Sequence, residues 1–374
     1  MRRRSLRRLG LLLALAAPAR LAAQRPDSVR VRFSGFAAEQ FNTSSVSGAV
    51  GSTFETRLVR LTAEATVNGW IVARLQPDFS MGRLALADAW VDFRVDPRLQ
   101  LRIGQFKKPF TFVYTYSETM MPIIERTSRI RGLEEALGAV GGPDGGPLYP
   151  TVDGEAVVPE EMSLLAASFY AARDIGASVH GALGRRLGYE VGVFNGQGPS
   201  HLDEDGTKSV SARVTLTPLP GVPLGFGADA QHASTVYDGE LSGLPAARRD
   251  RAGNAFSADA VWGGFRHPGP NAVVEVAGGD DLVNDRPFLA AQGWLSWFQP
   301  VAGTRLEGIE PVARVSWGNP DTRRPDDAGW LVTPGVTLHF AGRNHLQMDW
   351  ELFVPEARGV ETAKAFRAQA QVYF

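Results

Sequence analysis

Residues 84–110 read LALADAWVDFRVDPRLQLRIGQFKKPF. Ala85, Ala87, Ala89, Val91, Phe93 and Val95 fall on one parity and Asp88, Trp90, Asp92 and Arg94 on the other, the period of a strand with one apolar and one polar face. Asp96-Pro97 marks a tight turn, after which Leu99, Leu101 and Ile103 alternate with Gln100, Arg102 and Gly104. The alternation stops at Lys107-Lys108-Pro109, because proline brings no ladder donor and biases the residue before it away from the helix. The next residues, TFVYTYSETMMPIIERTSRIR after Phe110, keep no period, and two of the chain's only four lysines open the stretch.

The same period extends in both directions. Residues 60–67 set Leu61, Ala63, Ala65 and Val67 against Arg60, Thr62, Glu64 and Thr66, and 71–79 set Ile71, Ala73, Leu75 and Phe79 against Val72, Arg74, Gln76 and Asp78. Downstream, 210–216, 346–352 and 366–374 repeat the pattern. Alternation and turn punctuation predict strands over 29–42, 54–67, 70–79, 84–95, 98–106, 173–183, 187–195, 208–218, 222–234, 255–266, 270–280, 288–299, 306–318, 329–340, 343–354 and 363–374. Every second gap is tight, as at Asn68-Gly69, Asp96-Pro97, 219–221 and Ala341-Gly342. The intervening gaps are mostly longer and polar, as at 43–53, 196–207, 234–254 and 319–327, with 80–83 a short exception.

Alternation alone suits a soluble barrel or sandwich as well as a membrane barrel. About sixteen strands, short turns at one end, long loops at the other and both termini on the short side favour an all-β fold: a transmembrane antiparallel β-barrel. The chain ends on Phe374, with apolar residues at every second position before it. Such an end resembles the signal by which barrel-assembly machinery recognises outer-membrane proteins.

The first residues, MRRRSLRRLGLLLALAAPARLAAQ, combine an arginine-rich start, an apolar run over 9–17 and small residues at Ala22-Ala23. That layout predicts a cleaved signal peptide over 1–23 and a barrel over 24–374. Its apolar run is shorter than the roughly 20 residues that span a bilayer. The leader carries six arginines of the 39 basic residues, so 33 face 40 acidic ones, a balance of −7. A globally acidic chain is a poor nucleic-acid binder, and any attraction for anions has to be local. With no cysteine, an exported chain relies on burial and backbone pairing for stability.

With the apolar face toward lipid, the polar face lines a lumen. Arg60, Arg74, Arg94, Arg102, Arg213, Arg314 and Arg367 then point inward, as do Glu64, Asp78, Asp88, Asp92, Asp229, Asp259, Glu310, Asp349 and Glu351. Two readings stand side by side: charges that pair across neighbouring strands, or a row of guanidinium groups along which an anion moves. The fifth strand leads outward, so 107–172 becomes the third external loop, long enough to fold into the lumen as a constriction. Its first half brings Lys107, Lys108, Arg126, Arg129 and Arg131, with Phe110, Phe112, Tyr114 and Tyr116 available to anchor it; its middle, GGPDGGPLYP, suits a flexible segment. The six histidines are scattered without metal-ligand spacing, and no G-x-S-x-G, P-loop or H-E-x-x-H occurs. Neither an enzyme nor a metal or cofactor is expected.

TRLVRLTAEATVNGW from Thr56, the quoted segment 84–110, IIERT, RDIGASVHG and LGYEVGVFNGQG resemble the phosphate-selective porin O/P family in order and spacing over 54–214. The resemblance implies a sixteen-stranded, trimeric porin of the bacterial outer membrane that passes small anions such as phosphate through a lumen lined by arginines and lysines. Matching positions carry over Lys107 and Lys108 at the mouth of the loop, Arg102 on the strand before it, and Arg60 and Asp88 on earlier strands. The chain departs from that pattern in keeping only Lys208 and Lys364 besides Lys107 and Lys108, and in its acidic external loops HLDEDGT, GGDDLVND and RRPDDAG. Acidic groups at the mouth repel anions. The expected function is passive diffusion of small anions along Lys107, Lys108, Arg126, Arg129, Arg102, Arg60, Arg74, Arg94 and Arg213. A weakly selective porin and a plugged barrel that anchors or adheres are the alternatives.

Overall fold

The structure, a computed structural model, describes residues 28–134, 151–152, 155–203, 206–232, 252–282, 285–303, 305–357 and 360–374. The expected signal peptide, the GGPDGGPLYP segment and most of the gap after Ser234 lie outside the described residues.

The barrel strands are β1 (Val29–Thr43), β2 (Ser52–Val67), β3 (Ile71–Asp78), β4 (Ala85–Asp96), β5 (Leu99–Lys107), β6 (Arg173–Leu183), β7 (Leu187–Phe194) and β8 (Ser209–Leu219). They continue as β9 (Val222–His232), β10 (Ala252–Trp262), β11 (Gly269–Asp281), β12 (Arg286–Pro300), β13 (Gly308–Asn319), β14 (Gly329–His339), β15 (His345–Pro355) and β16 (Ala363–Tyr373). Each pairs antiparallel with its neighbour in sequence, and β1 pairs with β16 to close the barrel. The seam runs from Phe36 opposite Tyr373 to Asn42 opposite Arg367, and Gly35 and Phe374 exchange backbone hydrogen bonds at 2.8 and 2.9 Å. Closure leaves no unpaired edge, which is what a bilayer demands of a spanning sheet.

The expected alternation decides the faces. On β10, Phe256 is 65% exposed while its neighbour Ser257 is 6% exposed. Leu61, Leu101, Leu295, Trp350 and Val372 look outward in the same way. The inner face departs from the expected uniform polarity on one side. Val273, Ala277, Phe288, Ala290, Trp294 and Val312 of β11–β13 are buried in a cluster with Phe110, Val113, Leu164, Leu165 and Tyr170 of the segment between β5 and β6. The cause is visible in β12, RPFLAAQGWLSWFQP, whose apolar residues occupy both parities. One set faces outward; the other packs against this segment.

That segment has structure of its own. It carries a single turn, α1 (Phe112–Thr115), capped by Thr111, and a helix, α2 (Glu161–Ala167). Glu160 caps α2 by accepting from the backbone N–H groups of Met162 and Ser163, while Ser163 Oγ accepts from the Glu160 N–H. A three-stranded sheet of Arg129–Glu134, Thr151–Val152 and Glu155–Val157, absent from the sequence expectation, links the two limbs.

Two glycines of the wall make room for it. A Cβ on Gly227 of β9 would strike the Phe110 carbonyl, and one on Gly318 of β13 would sit 2.7 Å from the Pro159 carbonyl oxygen. Each limb of the segment therefore rests its backbone directly on a strand where no side chain intervenes.

Candidate functional site

The inner face divides into two regions with different chemistry. On β2–β7 the alternating charges meet across the ladder. Glu64 lies opposite Arg74 and Asp92 opposite Arg102 in the strand register. Arg74 reaches Glu64 at 2.8 Å and Asp88 at 3.7 Å, Arg102 reaches Asp92 at 3.4 Å and Glu190 at 3.5 Å, and Arg173 reaches Asp88 at 2.8 Å. Trp90 lies between two guanidinium groups, that of Arg74 at 5.2 Å and that of Arg102 at 4.9 Å from the ring. These groups keep contact with solvent: the side chains of Arg74, Arg94 and Arg102 are 34%, 44% and 21% exposed.

On β8–β16 many of the polar side chains serve the backbone of the segment between β5 and β6. Arg213 donates to the Phe110 carbonyl at 2.9 Å, and Glu275 accepts from the N–H groups of Phe112 and Val113 at 2.6 and 3.2 Å. Gln347 donates to Met121, Thr337 to Pro122, Arg314 to Glu125 and Arg367 to Arg129, each at a carbonyl, while Asp349 accepts from the Ile124 N–H. The returning limb is held by Ser316 at the Glu161 N–H and by Gln231 at the Ser168 carbonyl. An irregular backbone leaves its peptide groups unsatisfied, and these inward side chains satisfy them. Glu161 itself is fully buried against Gln292, and burial together with the neighbouring Glu275 carboxylate pushes its carboxyl well above the usual range.

A sequence profile described as phosphate-selective porin O and P matches residues 32–252, more than half of the chain. The chain belongs to this porin family. No curated protein matches it in sequence. Among solved structures, the outer-membrane channel DcaP of Acinetobacter baumannii is 10% identical, with 92% of this chain and 97% of that chain covered at a TM-score of 0.57. An anion-selective porin from Comamonas acidovorans is 12% identical, with 93% and 100% covered at a TM-score of 0.57. OmpT of Vibrio cholerae in its trimer form is 13% identical, with 93% and 100% covered at 0.55. These likenesses concern the fold, which is that of outer-membrane channels.

The nine residues expected to carry anions through the porin fall into two sets. Arg60, Arg74, Arg94 and Arg102 stand together on β2–β5, each within ion-pair distance of a carboxylate. Lys107, at the end of β5, donates to the carbonyls of Tyr114 and Tyr116 at 2.5 and 3.2 Å. Arg126 donates to Val113 and Tyr116 carbonyls and to Glu118. Lys108, Arg213 and Arg129 are parted from that arc. Lys108 is 1% exposed and pairs with Asp229 of β9 at 3.1 Å, Arg213 pairs with Asp259, and Arg129 lines a small cavity with Ser128, Glu351 and Arg367.

Sequence reading missed Glu118, which bridges Arg60 and Arg126, and Glu125, which takes Arg57 and Gln40. Both sit in the aperiodic segment, where no repeat marks which way a side chain points.

Proposed function

We propose that this porin carries small solutes across the outer membrane by passive diffusion, with a weak preference for anions. In this reading the segment between β5 and β6 folds into the lumen against β8–β16 and leaves a water-filled passage along β2–β7. The contrast in exposure carries the reading: Arg74, Arg94 and Arg102 keep 21–44% of their side-chain surface, while Arg314 and Arg367 across the barrel keep 0% and 2%.

Guanidinium groups stay charged and present several donors, so a line of them favours anions. The carboxylates opposite them oppose that preference, which is why it is weak. Phosphate is one of the anions such a passage admits; a dedicated phosphate site is not part of the proposal, since each arginine of the arc already serves a carboxylate. Export on the leader ending at Ala23, recognition through Phe374 and assembly as a trimer complete the reading.

The test is the reversal potential of purified protein in planar bilayers across a KCl gradient, with phosphate added as competitor. The expected result is a chloride-to-potassium permeability ratio modestly above unity, and phosphate lowering the chloride current without blocking it. A clear cation preference contradicts the anion part. The seated segment also suits a plugged barrel that anchors or adheres, and that second reading requires an absence of channels and no swelling of solute-loaded liposomes.

A further inference from the structure

We propose that Glu118 is the specificity-determining carboxylate of this passage, a counter-charge that holds the anion preference below the level its basic neighbours would set. The inference rests on the reading of the chain as a conducting porin.

Glu118 opens a single turn, Glu118–Met120, that places its carboxylate between the wall and the segment. One oxygen accepts from Arg60 of β2 at 2.8 Å and the other from Arg126 at 2.7 Å. Its side chain is 23% exposed, against 13% for Arg60 and 8% for Arg126. The acid is thus the most accessible member of the trio, and a passing ion meets it before either guanidinium.

Burial works against the charge on Glu118, but Arg60, Arg126, Lys107 and Arg57 together outweigh burial and hold the carboxyl well below its usual range. The same neighbours favour its ionised form. Its negative charge lies where Arg60 and Arg126 would otherwise dominate the local potential.

Both arginines are anchored without it. Arg60 keeps its pair with Asp78, and Arg126 keeps its bonds to the carbonyls of Val113 and Tyr116. Neutralising Glu118 consequently frees positive potential without releasing the groups that produce it.

The experiment compares the unmodified protein, Glu118→Gln and Glu118→Asp in planar bilayers across a dilute KCl gradient. Glu118→Gln is expected to raise the chloride-to-potassium permeability ratio by about three- to tenfold, the effect of one unit charge about 4 Å from the ion path at the water-like dielectric of an open passage. Glu118→Asp, which keeps the charge, is expected to hold the ratio near that of the unmodified protein. Single-channel conductance at 1 M KCl, where the screening length is about 3 Å, reports the bore rather than the charge and is expected to stay unchanged in Glu118→Gln. An unchanged ratio in Glu118→Gln, beside an unmodified protein that conducts, overturns this assignment alone. A rise in the ratio matched by a wider bore at 1 M KCl also overturns it, since the effect is then one of shape. Absence of channels in the unmodified protein overturns the porin reading, and this assignment with it.

Discussion

Alanine at both Phe110 and Tyr170 is expected to raise the single-channel conductance severalfold while leaving the barrel intact. The two rings belong to opposite limbs of the segment, are fully buried and lie 5.9 Å apart, and Tyr170 meets Phe288 of β12 at a tilt, 6.0 Å between centroids. The Tyr170 hydroxyl also donates to the Asp280 carbonyl at 2.8 Å. Truncating a buried aromatic to alanine costs about 3–5 kcal/mol, and both losses fall on the contact between segment and wall. The ladders of the barrel run from strand to neighbouring strand without passing through the segment. Conductance in 1 M KCl reads the bore, and a heat-modifiable mobility on a semi-native gel confirms that the barrel has formed. Unchanged conductance in a folded double variant would mean that this apolar seat does not narrow the proposed passage.

Adjacent lysines are expected to give opposite phenotypes. Lys108→Ala leaves the Asp229 carboxylate buried without its partner, which costs about 3–5 kcal/mol and lowers the urea midpoint of unfolding. Replacing both members, Lys108→Met with Asp229→Leu, is expected to recover most of that loss, since a buried ion pair exchanged for apolar groups of similar volume is close to neutral. Lys107→Ala leaves no carboxylate stranded. It removes the donor to the Tyr114 and Tyr116 carbonyls at the end of β5, and its effect is expected in the reversal potential more than in stability. Similar losses of stability in the two single variants would contradict this division of labour.

The strand count was legible because a spanning barrel must show lipid an apolar face at every second residue, and all sixteen expected strands occur with ends within a few residues of those observed. Period two fixes the face of a residue but not what covers it. Arg102 and Arg314 occupy equivalent inward positions, yet Arg102 stays open to solvent, while Arg314 is fully buried beneath the Glu125 carbonyl. Nothing in the alternation separates them; their fates depend on where the aperiodic segment comes to rest. A signal for that resting place did exist. Phe288, Ala290 and Trp294 lie on the parity opposite Leu289, Ala291 and Leu295, so β12 is apolar on both faces, which fits a strand covered on both sides. The doubled lysine at 107–108 divides for a local reason: at the end of a strand, consecutive residues diverge, one toward the segment's own carbonyls and the other across to Asp229.

The route of permeation is the claim on which the rest depends, and the absence of cysteine gives a clean background for testing it. Arg102→Cys places a thiol on the open wall, while Thr337→Cys places one at a position that is fully buried and bonded to the Pro122 carbonyl. Each variant is treated with a charged methanethiosulfonate reagent during single-channel recording. The expected result is a stepwise loss of current for Arg102→Cys and no reaction for Thr337→Cys. Block at Thr337→Cys with an unaffected Arg102→Cys channel would place the passage on the other side of the barrel and contradict the account.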